Sequence, residues 1–140
     1  MHFMMMWLAF NWLYNQERYD SGVSNDVDAI RNYCSKHYDV LKQYKAFSSN
    51  SMTYFEEAPV SDEISEAKRR ERFEILMDWN HEHSELERMQ ALLLTIYQVR
   101  CNLFHGSKSL RIDRNMKLVQ AAGKIMEGYL KTILDERDQR

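Results

Sequence analysis

Apolar side chains recur at helical spacing along the whole chain, and no alternating run of the kind a strand requires competes with them. Residues 3–16, "FMMMWLAFNWLYNQ", are apolar nearly all round, which predicts that the first helix is the central and most buried one. The small and polar stretch "SGVSND" follows at residues 21–26, and Ser24 or Asn25 stands where a cap belongs before a second helix starting near Asp26. There Val27, Ile30, Tyr33, Cys34, Tyr38, Leu41 and Tyr44 share a face, predicting an amphipathic, peripheral helix that runs on to Phe47.

Residues 48–61 hold the only proline and a run of serines, so a surface loop is expected. Ser61 and Asp62 mark a new helix start, with an apolar face from Phe73 to Trp79 and the charged run 68–72, "KRRER", turned to solvent. Ser84 with Glu87 three residues on forms a capping box for a helix over 85–104, and Gly106 sits where a helix-ending residue belongs. A final helix is expected from Arg111 to Glu136, with Ile112, Met116, Val119, Ile125, Tyr129 and Leu134 among its inward residues. The elements together predict an all-α fold, an antiparallel bundle of four to five helices, in a single domain over residues 1–140.

Composition narrows the class. The 140 residues are 44% hydrophobic and 29% charged, with one proline and four glycines, which suits a globular helical protein. The net charge of -2 supplies no global field for nucleic acid, so any RNA contact must come from a local patch. The two cysteines, Cys34 and Cys101, follow no disulfide framework, and the N-terminus has no secretory pattern, so a cytoplasmic setting is expected. The apolar stretch 3–13 is far short of the roughly 20 residues a membrane span needs.

The unusual stretch is "IYQVRCNLFHGSK", residues 96–108, where an apolar helix turns polar before its glycine. Arg100 and His105 lie five positions apart, about 140° around a regular helix, so they do not share a face. Cys101 and His105 do share one, and Asn102 is one turn from His105. A second chain related by a two-fold axis would present its own copy opposite. Histidine exchanges protons near neutral pH, and arginine forks onto a phosphate. RNA brings its own nucleophile in the 2′-hydroxyl, so no metal is needed.

The string "YQVRCNLFHGSK" resembles the HEPN domains, whose ribonuclease members carry an arginine, four to six variable residues and a histidine. Gly106 and Lys108 extend the likeness toward the Apea-like branch, and "WLAFNWLYN", residues 7–15, is similar to that branch's aromatic opening helix. The resemblance implies a helical homodimer with a composite active site at its interface and metal-independent endoribonuclease activity without cofactors. By motif, Arg100 is the phosphate binder, His105 the acid and base, and Asn102 an orienting residue.

Lys108 and Arg111, with Arg114 nearby, form the local basic patch suited to RNA phosphates. A toxin or phage-defence role, with an antitoxin or regulatory protein as further partner, follows by analogy. Two departures stand out. Cys101 occupies the place directly after the arginine where active members often have a polar residue, and Gly106 replaces the tyrosine of the toxins paired with nucleotidyltransferase antitoxins.

Other readings of the same residues remain. Arg100 can anchor a carboxylate of a neighbouring helix, and His105 can be a helix-end histidine favoured by the dipole. A catalytically silent HEPN-like module that binds nucleotide, RNA or a partner protein is the alternative function. Cys34 with His37, His81 with His83, and Cys101 with His105 are conceivable zinc ligands without a finger spacing. Trp7, Trp12, Tyr14, Tyr97 and Tyr129 fall on apolar faces and are expected to pack in the core.

Overall fold

A computed structural model describes residues 2–60, 65–106 and 113–139, with side chains except at 104–106 and 113–114. Among the described residues the chain forms helices and turns and no strand. The helices are α1 (His2–Ser21), α2 (Asp26–Lys36), α3 (Tyr38–Leu41), α4 (Thr53–Glu56), α5 (Glu66–Met77), α6 (Glu85–Gly106) and α7 (Asp113–Asp138).

The most enclosed helix is α6. Ala91 through Ile96 are buried at every position, and Leu92, Leu93 and Ile96 have no exposed surface. The central place expected for α1 is therefore taken by α6. One face of α1 (Phe3, Trp7, Phe10, Leu13 and Tyr14) enters the core, while Met5, Leu8 and Trp12 are 57–65% exposed on the other. An all-round apolar pattern cannot say which side meets the core, and here two sides are apolar and only one is covered. Trp12 is thus a surface residue, contrary to expectation, whereas Trp7, Tyr14 and Tyr129 are buried.

The second predicted helix is interrupted. Asn25 caps α2 by accepting the Asp28 N–H at 2.9 Å. The backbone leaves helical geometry at His37 (φ −109°, ψ 21°). The His37 ring stacks 4.3 Å from that of Tyr33 and bonds Glu17 of α1 at 2.6 Å, so a tertiary contact holds the break. Residues 48–60 are also more ordered than a surface loop. Two 3₁₀ turns, Ala46–Ser48 and Asn50–Met52, lead into α4 and bury Met52, Phe55 and Val60. Three apolar anchors among serines outweigh the loop signal of composition.

Helix α5 begins at the Ser65 cap, whose hydroxyl accepts the Lys68 N–H; the expected start at Ser61 and Asp62 lies outside the described residues. It ends at Asp78, which takes the left-handed conformation (φ 49°) and is only 9% exposed. Short polar side chains tolerate this region when they bond locally, and Asp78 Oδ1 accepts the N–H groups of Glu82 and His83 at 2.9 and 3.1 Å. Arg88 then fastens α6 to α5 by donating Nε and Nη2 to the Leu76 carbonyl. The expected capping box is present, with Ser84 Oγ on the Glu87 N–H and Glu87 on the Ser84 N–H, both at 3.1 Å.

Helices α5 and α6 pack as an antiparallel pair, but α1 and α7 do not. Phe3 lies against Gly123, and at the other end Glu17 of α1 and Arg137 of α7 both act on the Tyr33 hydroxyl. These two long helices therefore run in the same sense, and the bundle departs from simple antiparallel order. Met116 and Leu134 of α7 are 49% and 58% exposed rather than inward. Ile112, expected to face inward, lies outside the described residues.

Candidate functional site

The motif ends the central helix. Because α6 is continuous to Gly106, Arg100 and the backbone of His105 belong to one rod whose middle is the core. Arg100 is half-buried, and its positive charge reaches the Tyr14 hydroxyl of α1. The successive positions 100, 101 and 102 turn by about 100° each, and they meet different neighbours.

On the Arg100 side lies a polar cluster that joins three helices. Tyr14 donates its hydroxyl to Asn11 Oδ1 at 2.6 Å, and Tyr97 donates to Asp26 Oδ2 at 3.2 Å. Arg18 pairs with Asp26 Oδ1 at 3.0 Å and also donates to Asn15 and to the Ser24 carbonyl. Burial raises both phenols well above the ordinary tyrosine range. For Tyr14 the Asp26 charge adds to the rise, and for Tyr97 its neighbour Cys101 and then Asp26 add to it. Both phenols therefore stay protonated donors at neutral pH. On this face Arg18 clamps the Asp26 carboxylate.

Asn102 faces elsewhere. It accepts from Gln98 Nε2 at 2.9 Å and lines a small crevice with Val60, Asn115 and Leu118. Asn102 leaves the helix about 200° around from Arg100. His105 and Arg114 are placed only by their helical backbone, and Lys108 and Arg111 lie outside the described residues.

The metal-binding reading finds no cluster. Among the described residues no three metal-ligating side chains come together. Cys34 is fully buried, and burial pushes its thiol far above the ordinary range. Its supposed partner His37 is turned to Glu17.

Asp26, Arg18 and Asn11 were not singled out by the sequence. Asp26 reads there as a first-turn acid beside a cap, and nothing local announces that Tyr97, 71 residues away, will bond it. Compared with family profiles, curated proteins and solved structures, the chain matches none.

Proposed function

We propose that this protein is a metal-independent endoribonuclease of the HEPN type, acting as a homodimer through Arg100 and His105. The observation that carries the reading is the placement of a half-buried arginine on an unbroken helix whose same end carries His105, beside tyrosines held as donors. That arrangement suits a group that must stay fixed while charge builds on a phosphate.

In the reaction the RNA 2′-hydroxyl attacks the adjacent phosphorus, and the 5′-oxygen leaves. A histidine accepts the 2′-hydroxyl proton, and the histidine of the second chain gives a proton to the leaving oxygen. The arginines neutralise the charge gathered on the non-bridging oxygens. The products are a 2′,3′-cyclic phosphate and a 5′-hydroxyl.

The homodimer needs a seam, and the exposed stripe Met5, Leu8 and Trp12 on α1 fits one. Its 5, 8, 12 spacing is that of a helix-pairing face, residues 3–16 carry no charge, and Asn11 beside it bonds the Tyr14 that senses Arg100.

The test is cleavage of a mixed RNA pool in EDTA by the parent protein, Arg100→Ala and His105→Ala, with product ends identified. Cyclic or 3′-phosphate ends from the parent, lost at least about a hundredfold in either variant, support the reading. Equal or absent cleavage by folded, dimeric proteins overturns it and favours the silent binding module.

A further inference from the structure

Near the other end of α6, Arg88 lies about 18 Å along the helix from Arg100. There α3, the Ala46–Ser48 turn, the first turn of α6 and Tyr129 of α7 border a half-open cavity of about 150 Å³ lined by Tyr38, Tyr44 and Phe47. Tyr44 is a fixed wall. Its ring meets that of Tyr129 edge-on at 5.2 Å, and it lies over Gly128, where any side chain would occupy the ring's place.

The rim of this cavity is basic in a chain of net charge -2. Among the described residues that line it, Lys42, Lys45 and Arg88 stand against one carboxylate, Glu85. That carboxylate is turned onto a wall, accepting the Tyr38 hydroxyl at 2.8 Å. Arg88 is held by its two bonds to the Leu76 carbonyl, with its guanidinium 4.2 Å from the Phe47 ring centroid. Lys42 is shared between Asp39 at 3.2 Å and the Tyr38 ring at 5.5 Å. Lys45 is exposed.

A cavity of this size admits one six-membered ring. Aromatic walls offer stacking to any base, and the mobile ammonium groups of lysine suit a phosphate just outside. We propose that this cavity binds a nucleoside monophosphate, with a pyrimidine base among Tyr38, Tyr44 and Phe47 and its phosphate on Lys42 and Lys45. None of these residues belongs to the Arg100 and His105 motif, so the assignment stands apart from the cleavage reading.

The test is calorimetric titration of the full chain with uridine 5′-monophosphate, uridine, ribose 5-phosphate and a short oligouridylate. The nucleotide is expected to bind at least about tenfold more tightly than either half alone, and Lys42→Gln with Lys45→Gln together to weaken it about tenfold. Both lysines are exposed, so the double variant retains its fold, checked by its melting curve. Arg100→Ala is expected to bind the nucleotide as the parent does.

An oligouridylate that binds more tightly than the mononucleotide identifies an RNA strand as the source, and a weaker one identifies the free nucleotide. Three results overturn the proposal: no binding of the mononucleotide at millimolar concentration, ribose 5-phosphate binding equally well, or a double variant that binds as the parent does.

Discussion

Tyr97 on the central helix donates its hydroxyl to Asp26 at the start of α2, at 3.2 Å and across 71 residues of chain. The same carboxylate receives Arg18 of α1 at 3.0 Å, so one acid ties three helices together beside Arg100. Replacing Asp26 with Asn keeps the shape and removes the charge. With the Asp26 side chain 34% exposed, the cost is expected at about 1–2 kcal/mol, read as a lower urea midpoint at unchanged slope. An unchanged midpoint would show the cluster to be ornamental to stability.

The seam proposed for a homodimer makes a separate prediction. Trp12→Glu places a charge at the C-terminal end of the exposed α1 stripe without touching the core, since Trp12 is 57% exposed. Sedimentation at micromolar concentration is expected to give a dimer for the parent and a monomer for the variant, with RNA cleavage lost alongside. A parent that sediments as a monomer would defeat the composite site.

Two glycines of α7 are expected to respond oppositely to alanine. A methyl at Gly123 meets the exposed His2 side chain at 3.1 Å, which can turn away, so the helix-propensity gain of about 1 kcal/mol leaves Gly123→Ala neutral or more stable. A methyl at Gly128 runs into the Tyr44 ring, which is packed on Tyr129. Gly128→Ala is therefore expected to lose about 1–3 kcal/mol, and thermal melts of the two variants decide the matter.

The start of α6 responds to acid. Glu87 is held below the usual carboxylate range first by the Ser84 N–H, then by His83 and the Ser84 hydroxyl. A depressed folded value means that its contribution is present above the unfolded value of about 4.3 and is lost as pH falls through the folded one. The advantage of the parent over Glu87→Gln is therefore expected to shrink as the pH falls below about 5, as urea midpoints will show. Ser84→Ala is expected to cost about 1 kcal/mol at neutral pH.

The two thiols differ in reach. Cys34 is fully buried and its thiol is pushed far up by burial, while Cys101 is half-buried. An aromatic disulfide reagent is expected to titrate one thiol per native chain and two in denaturant.

Local chemistry was readable where neighbours in sequence settle it. The Ser84 and Glu87 box, a cap at Ser24 or Asn25 that the structure gives to Asn25, and the helical class all follow from short spacings. What escaped was set by distant contacts: the break at His37 is held by Glu17, and the burial of Met52 and Phe55 by helices far along the chain. The uncovered side of α1 is apolar like the covered one, so periodicity assigned the centre of the bundle to α1 rather than α6. At the candidate site Arg100 was legible as a misfit in an apolar run. Asp26, the anchor of the cluster beside it, was hidden by resembling an ordinary first-turn acid.

The continuity of α6 bears on how the protein fails. Leu92, Leu93 and Ile96 are sealed in the core, and Arg100 follows within about two turns on the same rod. A site carried on a flexible loop loses activity on warming well before the fold melts. Here the core and Arg100 share one rod, so the cleavage proposed above is expected to be lost at the temperature at which the chain unfolds.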